Sequence, residues 1–438
     1  MKNITEGSIR KSVIALFIPI ALSSFFQQFY SFVDGIIVSY YLGDLAFSAV
    51  GGSSLKIITT LINFFVGVSS GICALVSRYF GSVETEKVEK TIFNGLFVFT
   101  IFGILISIFG VIFSKEILIA MNTPFETLDL SNTYLRVFMY GLVFSIIYNV
   151  LSGSLTAIGD SKTPFKVLVF CSFLNIFLNI FLVRNLGMGI FGVSFSTVLS
   201  QIVSVLILGI KLFKLFPNIL KSKIDFDFIK EILKIGLPSG AQSMMYSFSN
   251  IFIQSTINTF GYLNVASWSA YIKLDSIVSI FVSSLGNTVM PFVGQNFGTK
   301  NIDRIKESVN EIMKLSYMIS LTLISFIMIF RIELLGLFSK DVNVINTGAN
   351  LVFLIMPMYL LSIPQTMYSQ ALRGIGKTFM PMILTLVGVI GIRFFWILFL
   401  LPYKNSIYFL ALCYPISAFI MSVVFFIYYK KEINRIKF

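Results

Sequence analysis

Of the 20 acidic residues in the chain, only Asp34 and Asp275 fall deep inside long apolar runs. A charged side chain at the centre of a membrane helix costs about 2.5 kcal/mol or more, so its retention there points first to function. There is no histidine, which leaves any proton chemistry to the carboxylates. Gln27, Tyr30, Ser31 and Asp34 recur at three- and four-residue spacing and so share one helix face, which is expected to look into a helix bundle. Asp34 lies nine residues before Gly43, roughly 13 Å at about 1.5 Å per residue. Lys56 is at similar depth on the returning helix. Two readings stand side by side: a cation site at Asp34, or an Asp34–Lys56 ion pair that only locks two helices. Asp275 follows Lys273 by two residues, a spacing that does not make helix neighbours, and a structural pairing is as good a reading for it as a functional one. Lys273 either lines a cavity or snorkels.

These residues need a scaffold that lipid tolerates. Hydrophobic residues make up 56% of the 438 and charged residues only 12%, too few to wrap soluble cores. A bilayer core needs about 20 apolar residues per helix. Twelve spans are predicted, near 13–39, 47–77, 91–113, 131–157, 164–184, 190–213, 233–258, 265–295, 312–330, 347–371, 380–401 and 406–429. The net charge of +13 sits in short clusters between them, the pattern of basic cytoplasmic loops rather than of a nucleic-acid surface. One side collects 24 Lys and Arg, including Lys2 and Lys437, and the other collects 6; Lys56, Lys273 and Arg393 lie within spans. Both termini are therefore expected in the cytoplasm, in a multi-pass plasma-membrane protein. Arg10 and Lys11 precede an apolar run without a small-residue cleavage site, read as a retained first helix. Cys73, Cys171 and Cys413 sit in apolar runs without paired spacing, so neither a disulfide nor a metal site is expected.

The chain also repeats itself. Val76-Ser77-Arg78-Tyr79-Phe80-Gly81 matches Val293-Gly294-Gln295-Asn296-Phe297-Gly298, and Leu155-Thr156-Ala157-Ile158-Gly159 with Pro164 matches Leu372-Arg373-Gly374-Ile375-Gly376 with Pro381, each pair 217 apart (293 − 76, 372 − 155). Gly43 and Gly261, and Lys56 and Lys273, keep nearly that register. Six spans per half is an even number, so the repeats are parallel, as in two bundles that give alternating access. The predicted division is a six-helix lobe over 1–215, a basic linker over 216–234 and a second lobe over 235–438.

The set Tyr30-Ser31-Phe32-Val33-Asp34, Gly43, Ala49-Val50-Gly51, Val293 to Gly298 and Leu372 to Gly376 resembles the multidrug and toxic compound extrusion (MATE) family over essentially the whole chain, in a DinF-like or related drug-exporter branch. The resemblance implies a V-shaped pair of six-helix lobes coupling H⁺ or Na⁺ import to efflux. It places the first-lobe cation site on Asp34 and Tyr30, on Asn175 and Asn179 of the fifth helix, and on Thr197 of the sixth. Where several relatives carry a second aspartate this chain has Asn179, and at second-lobe positions that are acidic in one branch it has Tyr246 and Ser362.

Cargo contacts are expected from Gln27, Met244, Tyr246, Gln254, Lys273 and Gln365, since methionine and aromatic side chains repack around varied ligands; a lipid-facing or core role for the Met244–Phe248 run is the plainer alternative. Pro19, Pro238, Pro357 and Pro364 are candidate bend points. No phosphate-binding Gly-x-x-x-x-Gly-Lys-Ser/Thr motif is present, and no nucleophile or metal spacing suggests an enzyme. The expected protein is a monomeric antiporter of small amphipathic organic molecules, in contact with membrane lipid, with no nucleic-acid partner and no cofactor beyond the coupling ion. A lipid-linked oligosaccharide flippase of the same architecture is the alternative, and only Lys56, Lys273 and Arg393 would serve it.

Overall fold

A computed structural model describes residues 4–436; Lys2 and Lys437, counted above among the loop cations, lie outside the described residues. Those residues form helices and turns only, as the uninterrupted apolar runs require: in hydrocarbon a helix satisfies every backbone group within its own segment. The helices are α1 (Ile9–Ala49), α2 (Leu55–Gly81), α3 (Thr85–Ala120), α4 (Phe125–Ala157), α5 (Lys162–Ile180), α6 (Gly189–Leu215), α7 (Phe226–Asn258), α8 (Tyr262–Gly298) and α9 (Ile302–Ile329). They continue with α10 (Arg331–Gly336), α11 (Val342–Ile355), α12 (Ile363–Gly374), α13 (Phe379–Thr385), α14 (Ile392–Phe395), α15 (Ile407–Ala411) and α16 (Cys413–Arg435).

Ten continuous helical segments among the described residues are long and apolar enough to cross a bilayer. One of them, Ile9–Gly81, has 73 residues, several times the length of a single crossing at about 20 residues each. It is two crossings divided at Gly43, whose φ of 81° and ψ of 178° leave the helical region. The remaining crossing is α7, 33 residues long but diluted by Ser239, Gln242, Ser249, Asn250 and Gln254. The predicted twelve spans are thus reconciled with the ten apolar segments. Pro19 and Pro238 lie inside continuous helices, and in Ile9–Gly81 the backbone leaves the helical region at Gly43 and Gly52 instead. Pro357 begins a 3₁₀ turn, Pro357–Ser362, that separates α11 from α12.

The repeat is written into the backbone. Gly261, like Gly43, has a positive φ, of 83°. Val83 and Lys300, 217 apart (300 − 83), have φ of 60° and 61°, and Gly159 and Gly376 have 87° and 79°. Each of these last four closes a helix in the same way, with an N–H reaching a carbonyl five residues back: Glu84 to Tyr79 at 2.9 Å and Asn301 to Asn296 at 3.0 Å, Asp160 to Leu155 at 2.9 Å and Lys377 to Leu372 at 2.8 Å.

The described residues divide into two compact units, residues 18–240 and residues 4–17 with 241–436. In the first, α4 is central, packed on α2, α3 and α6 around buried Ile72, Leu75, Phe99, Leu135, Leu142 and Ile146. The basic linker is tied to α3: the Asn218 N–H donates to Glu89 Oε1 at 3.1 Å and the Asp225 N–H to Asn94 Oδ1 at 2.8 Å. The start of α7 lies close against α2, because Gly71 faces Gly236 and Gly240 faces the Phe64–Val68 turn. In the second unit α12 packs on α8 and α16. Arg304 of α9 donates to the carbonyls of Ile4, Glu6 and Gly7, which holds the start of the chain in this unit.

Candidate functional site

In the first unit α1, α5 and α6 bring one carboxylate and a group of uncharged polar side chains together. Asn175 and Asn179 are four residues apart on α5 and therefore present neighbouring side chains on one face. The Asn179 amide donates to Asp34 Oδ1 and, at 3.1 Å, to Asn175 Oδ1. Asn179 Oδ1 accepts in turn from the Ser196 hydroxyl at 2.5 Å. The Asn175 amide reaches Ser196 Oγ at 3.5 Å and Thr197 Oγ1 at 3.3 Å. Tyr30, one turn before Asp34, lies beside Thr197, and Tyr134 of α4 lies close to the carboxylate. Asp34 is 8% exposed and Asn179 fully buried.

All five residues proposed for a cation site from the sequence meet here. Ser196 is an addition. It links α5 to α6 by accepting from one asparagine and donating to the other, and nothing in the sequence marks it out from Ser194, Ser200 and Ser204 on the same helix. The alternative pairing does not form: Lys56 is exposed and makes no ion pair with Asp34. Asp34 is thus a buried carboxylate with a neutral amide donor in place of a basic partner. Uncompensated negative charge in a dry setting attracts whichever cation can reach it. The oxygens of Asp34, Asn175, Thr197 and Tyr30 suit a proton or a hard monovalent ion. No group of three or more His, Cys, Asp or Glu able to hold a transition metal occurs among the described residues.

The expected cargo contacts divide differently. In the second unit Gln365 donates to the Tyr246 hydroxyl at 2.7 Å, joining α12 to α7. Gln254 spends its amide on Asn258 one turn along α7, at 3.0 Å. Met244 is half-buried. Lys273 is exposed and Asp275 accepts instead from the Tyr271 hydroxyl at 3.1 Å. Gln27 is exposed in the first unit.

Duplicated six-helix bundles with a buried, unpaired carboxylate define a polytopic membrane transporter. A family profile, MatE, matches residues 19–181 and 238–397. That is well over half of the chain, and the chain belongs to this family. It is 27% identical to the probable multidrug resistance protein YoeA of Bacillus subtilis (strain 168), over 99% of this chain and 97% of the relative. It is 23% identical to the multidrug export protein MepA of Staphylococcus aureus (strain NCTC 8325 / PS 47), over 86% and 82%. A crystal structure of MATE in the bent conformation superposes with a TM-score of 0.90 at 23% identity, covering 98% of this chain and 97% of that one.

Proposed function

We propose that the protein exports small amphipathic organic molecules across the plasma membrane, with its termini in the cytoplasm, in exchange for H⁺ or Na⁺ taken up at Asp34. The single observation that carries the reading is the state of Asp34: buried, unpaired with any base, and held by Asn179 within a cluster of oxygen donors. A group of that kind changes its net charge each time a cation arrives or leaves. Its hydrogen bonds to α5, and through Ser196 to α6, give the change something to act on. The 24-to-6 excess of loop cations on one side supports the orientation. The names of the relatives support the cargo class. Met244 and the Tyr246–Gln365 pair are the contacts offered for it.

The test uses purified protein in vesicles, with a dye panel and with proton and sodium gradients imposed one at a time. Asp34→Asn keeps the shape and removes the ionisable group. Gradient-driven efflux is expected to fall to near the protein-free leak while the variant remains inserted and folded. Lys56→Met is expected to leave efflux intact. Wild-type efflux by Asp34→Asn under the same gradient would remove the proposal.

A further inference from the structure

The second unit contains a buried cation whose position answers to that of the first unit's cation cluster. Arg393 sits in α14 and is 8% exposed. A constant offset of 217, as between Pro164 and Pro381, would set Ile392 opposite Asn175. The second half, however, contains a π-helical turn at Leu386–Gly391 that has no counterpart in the corresponding stretch of α5. A π turn takes in one extra residue. Beyond it the offset is 218, and Arg393 takes the place of Asn175 (393 − 175). The neighbours agree. Ser249 lies within one residue of the position of Tyr30, at 219 by Pro238 and Pro19 and one residue past it at the 218 of Gly261 and Gly43, and Tyr414 corresponds to Thr197 at 217.

The contacts of Arg393 fit this correspondence. Its Nη1 donates to Ser249 Oγ at 2.9 Å and lies 3.5 Å from Asn250 Oδ1, and its guanidinium stands over the Tyr414 ring at 4.2 Å. Among the described residues it forms no ion pair. Asp275 of α8 is a nearby carboxylate around Tyr414, but it accepts from Tyr271 and forms no pair with the arginine. Nε of Arg393 is buried and has no hydrogen-bond partner. An arginine fork with one donor unspent matches the shape of a planar or spherical anion.

We infer that the second unit binds a monovalent anion at Arg393, framed by Ser249, Asn250 and Tyr414: a halide from solution or the carboxylate of an exported compound. In this reading the duplication has been used twice with opposite sign, a carboxylate for a cation in the first unit and a guanidinium for an anion in the second. The inference does not depend on coupling at Asp34.

The protein carries its own reporter. Both of its tryptophans, Trp268 and Trp396, are in this unit and buried; Trp396 is one turn beyond Arg393, and the Trp268 ring is 5.9 Å from that of Tyr414. Bromide quenches indole emission on contact, and free bromide has little access to buried rings. Bromide titrated into purified protein in a buffer of large sulfonate anions is expected to quench in a saturable manner. The saturable part is expected to be lost in Arg393→Gln and kept in Asp34→Asn. Arg393→Lys retains the charge without the fork and is expected to weaken binding roughly tenfold, which keeps the test decisive if the glutamine variant does not fold. Reversal of quenching by chloride alone identifies a halide site, and reversal by acetate identifies a carboxylate site. Quenching that rises linearly in the wild type, or saturable quenching unchanged in both Arg393 variants, would overturn the inference.

Discussion

Gly236→Ala and Gly153→Ala add the same methyl group to helices that pack on the same partner, α2, and the geometry predicts opposite signs for them. A Cβ on Gly236 would lie 2.6 Å from the Val68 carbonyl oxygen and 3.1 Å from Val68 Cγ1. Ordinary contact begins at 3.4 Å, so α7 and α2 must part by about 0.8 Å (3.4 − 2.6), with nothing flexible to give way. That movement also loosens the Gly71 and Gly240 contacts on either side. Overpacking of this kind costs about 1–3 kcal/mol, against about 0.5–1 kcal/mol regained from replacing a helical glycine. The net expectation is a loss of about 0.5–2 kcal/mol. A Cβ on Gly153 of α4 would meet Ser69 O at 3.8 Å and Cys73 Cβ at 3.9 Å, both comfortable. There the propensity gain stands alone, and Gly153→Ala should be neutral or stabilising by up to about 1 kcal/mol. Thermal or SDS-induced unfolding of the two purified variants beside the wild type measures the difference. Gly236→Ala as stable as Gly153→Ala would mean that the α2–α7 contact is looser than described.

Two further outcomes follow from the backbone. Val83 is 83% exposed with a φ of 60°, a conformation costly for a β-branched residue by roughly 1–2 kcal/mol, so Val83→Gly should raise stability by about 0.5–1 kcal/mol after the entropy cost of glycine; a lower unfolding midpoint would contradict the assignment of strain there. Arg304→Met removes three hydrogen bonds to the carbonyls of Ile4, Glu6 and Gly7, and trypsin cleavage near Arg10 and Lys11 should accelerate by about tenfold, the equivalent of one charge-assisted hydrogen bond; unchanged cleavage would show that the segment is held by other means.

Much of the fold was legible because bilayer constraints act on composition directly. Apolar length marks a crossing, and the turn residues Gly43, Gly159, Gly261 and Gly376 mark the ends because glycine enters positive φ without strain. Among the described residues α7 is the long helix that is less apolar, for it carries the polar residues that bond inside the second unit, such as Gln242 to Thr385 at 2.7 Å and to Arg373 at 2.7 Å. The first-unit site was legible in part. Helical spacing set Tyr30 with Asp34, but it gives depth along an axis and not the direction a side chain takes on the neighbouring helix. Lys56 was therefore at the right depth and is exposed. Ser196 was hidden among other serines of α6, and only the packing of α5 against α6 selects it.

Arg393 was hidden for a different reason. Its charge was plain in the sequence, a cation within the eleventh span, and what could not be read was its register. Periodicity arguments assume that every helix advances 3.6 residues per turn, so a repeat of fixed offset pairs each residue with a fixed partner. The π turn at Leu386–Gly391 breaks that assumption in one half only. A second π turn, Trp396–Leu400, only partly overlaps the first-half one at Phe181–Asn185, which the offset of 218 would set at 399–403 (181 + 218, 185 + 218). One extra residue in about the middle of a membrane helix rotates everything after it by about 100°. That rotation is what sets the guanidinium where the other half has an asparagine amide, and turns a donor–acceptor pair of groups into donors alone. The two halves thus share their turns while differing in the buried side chain at this position.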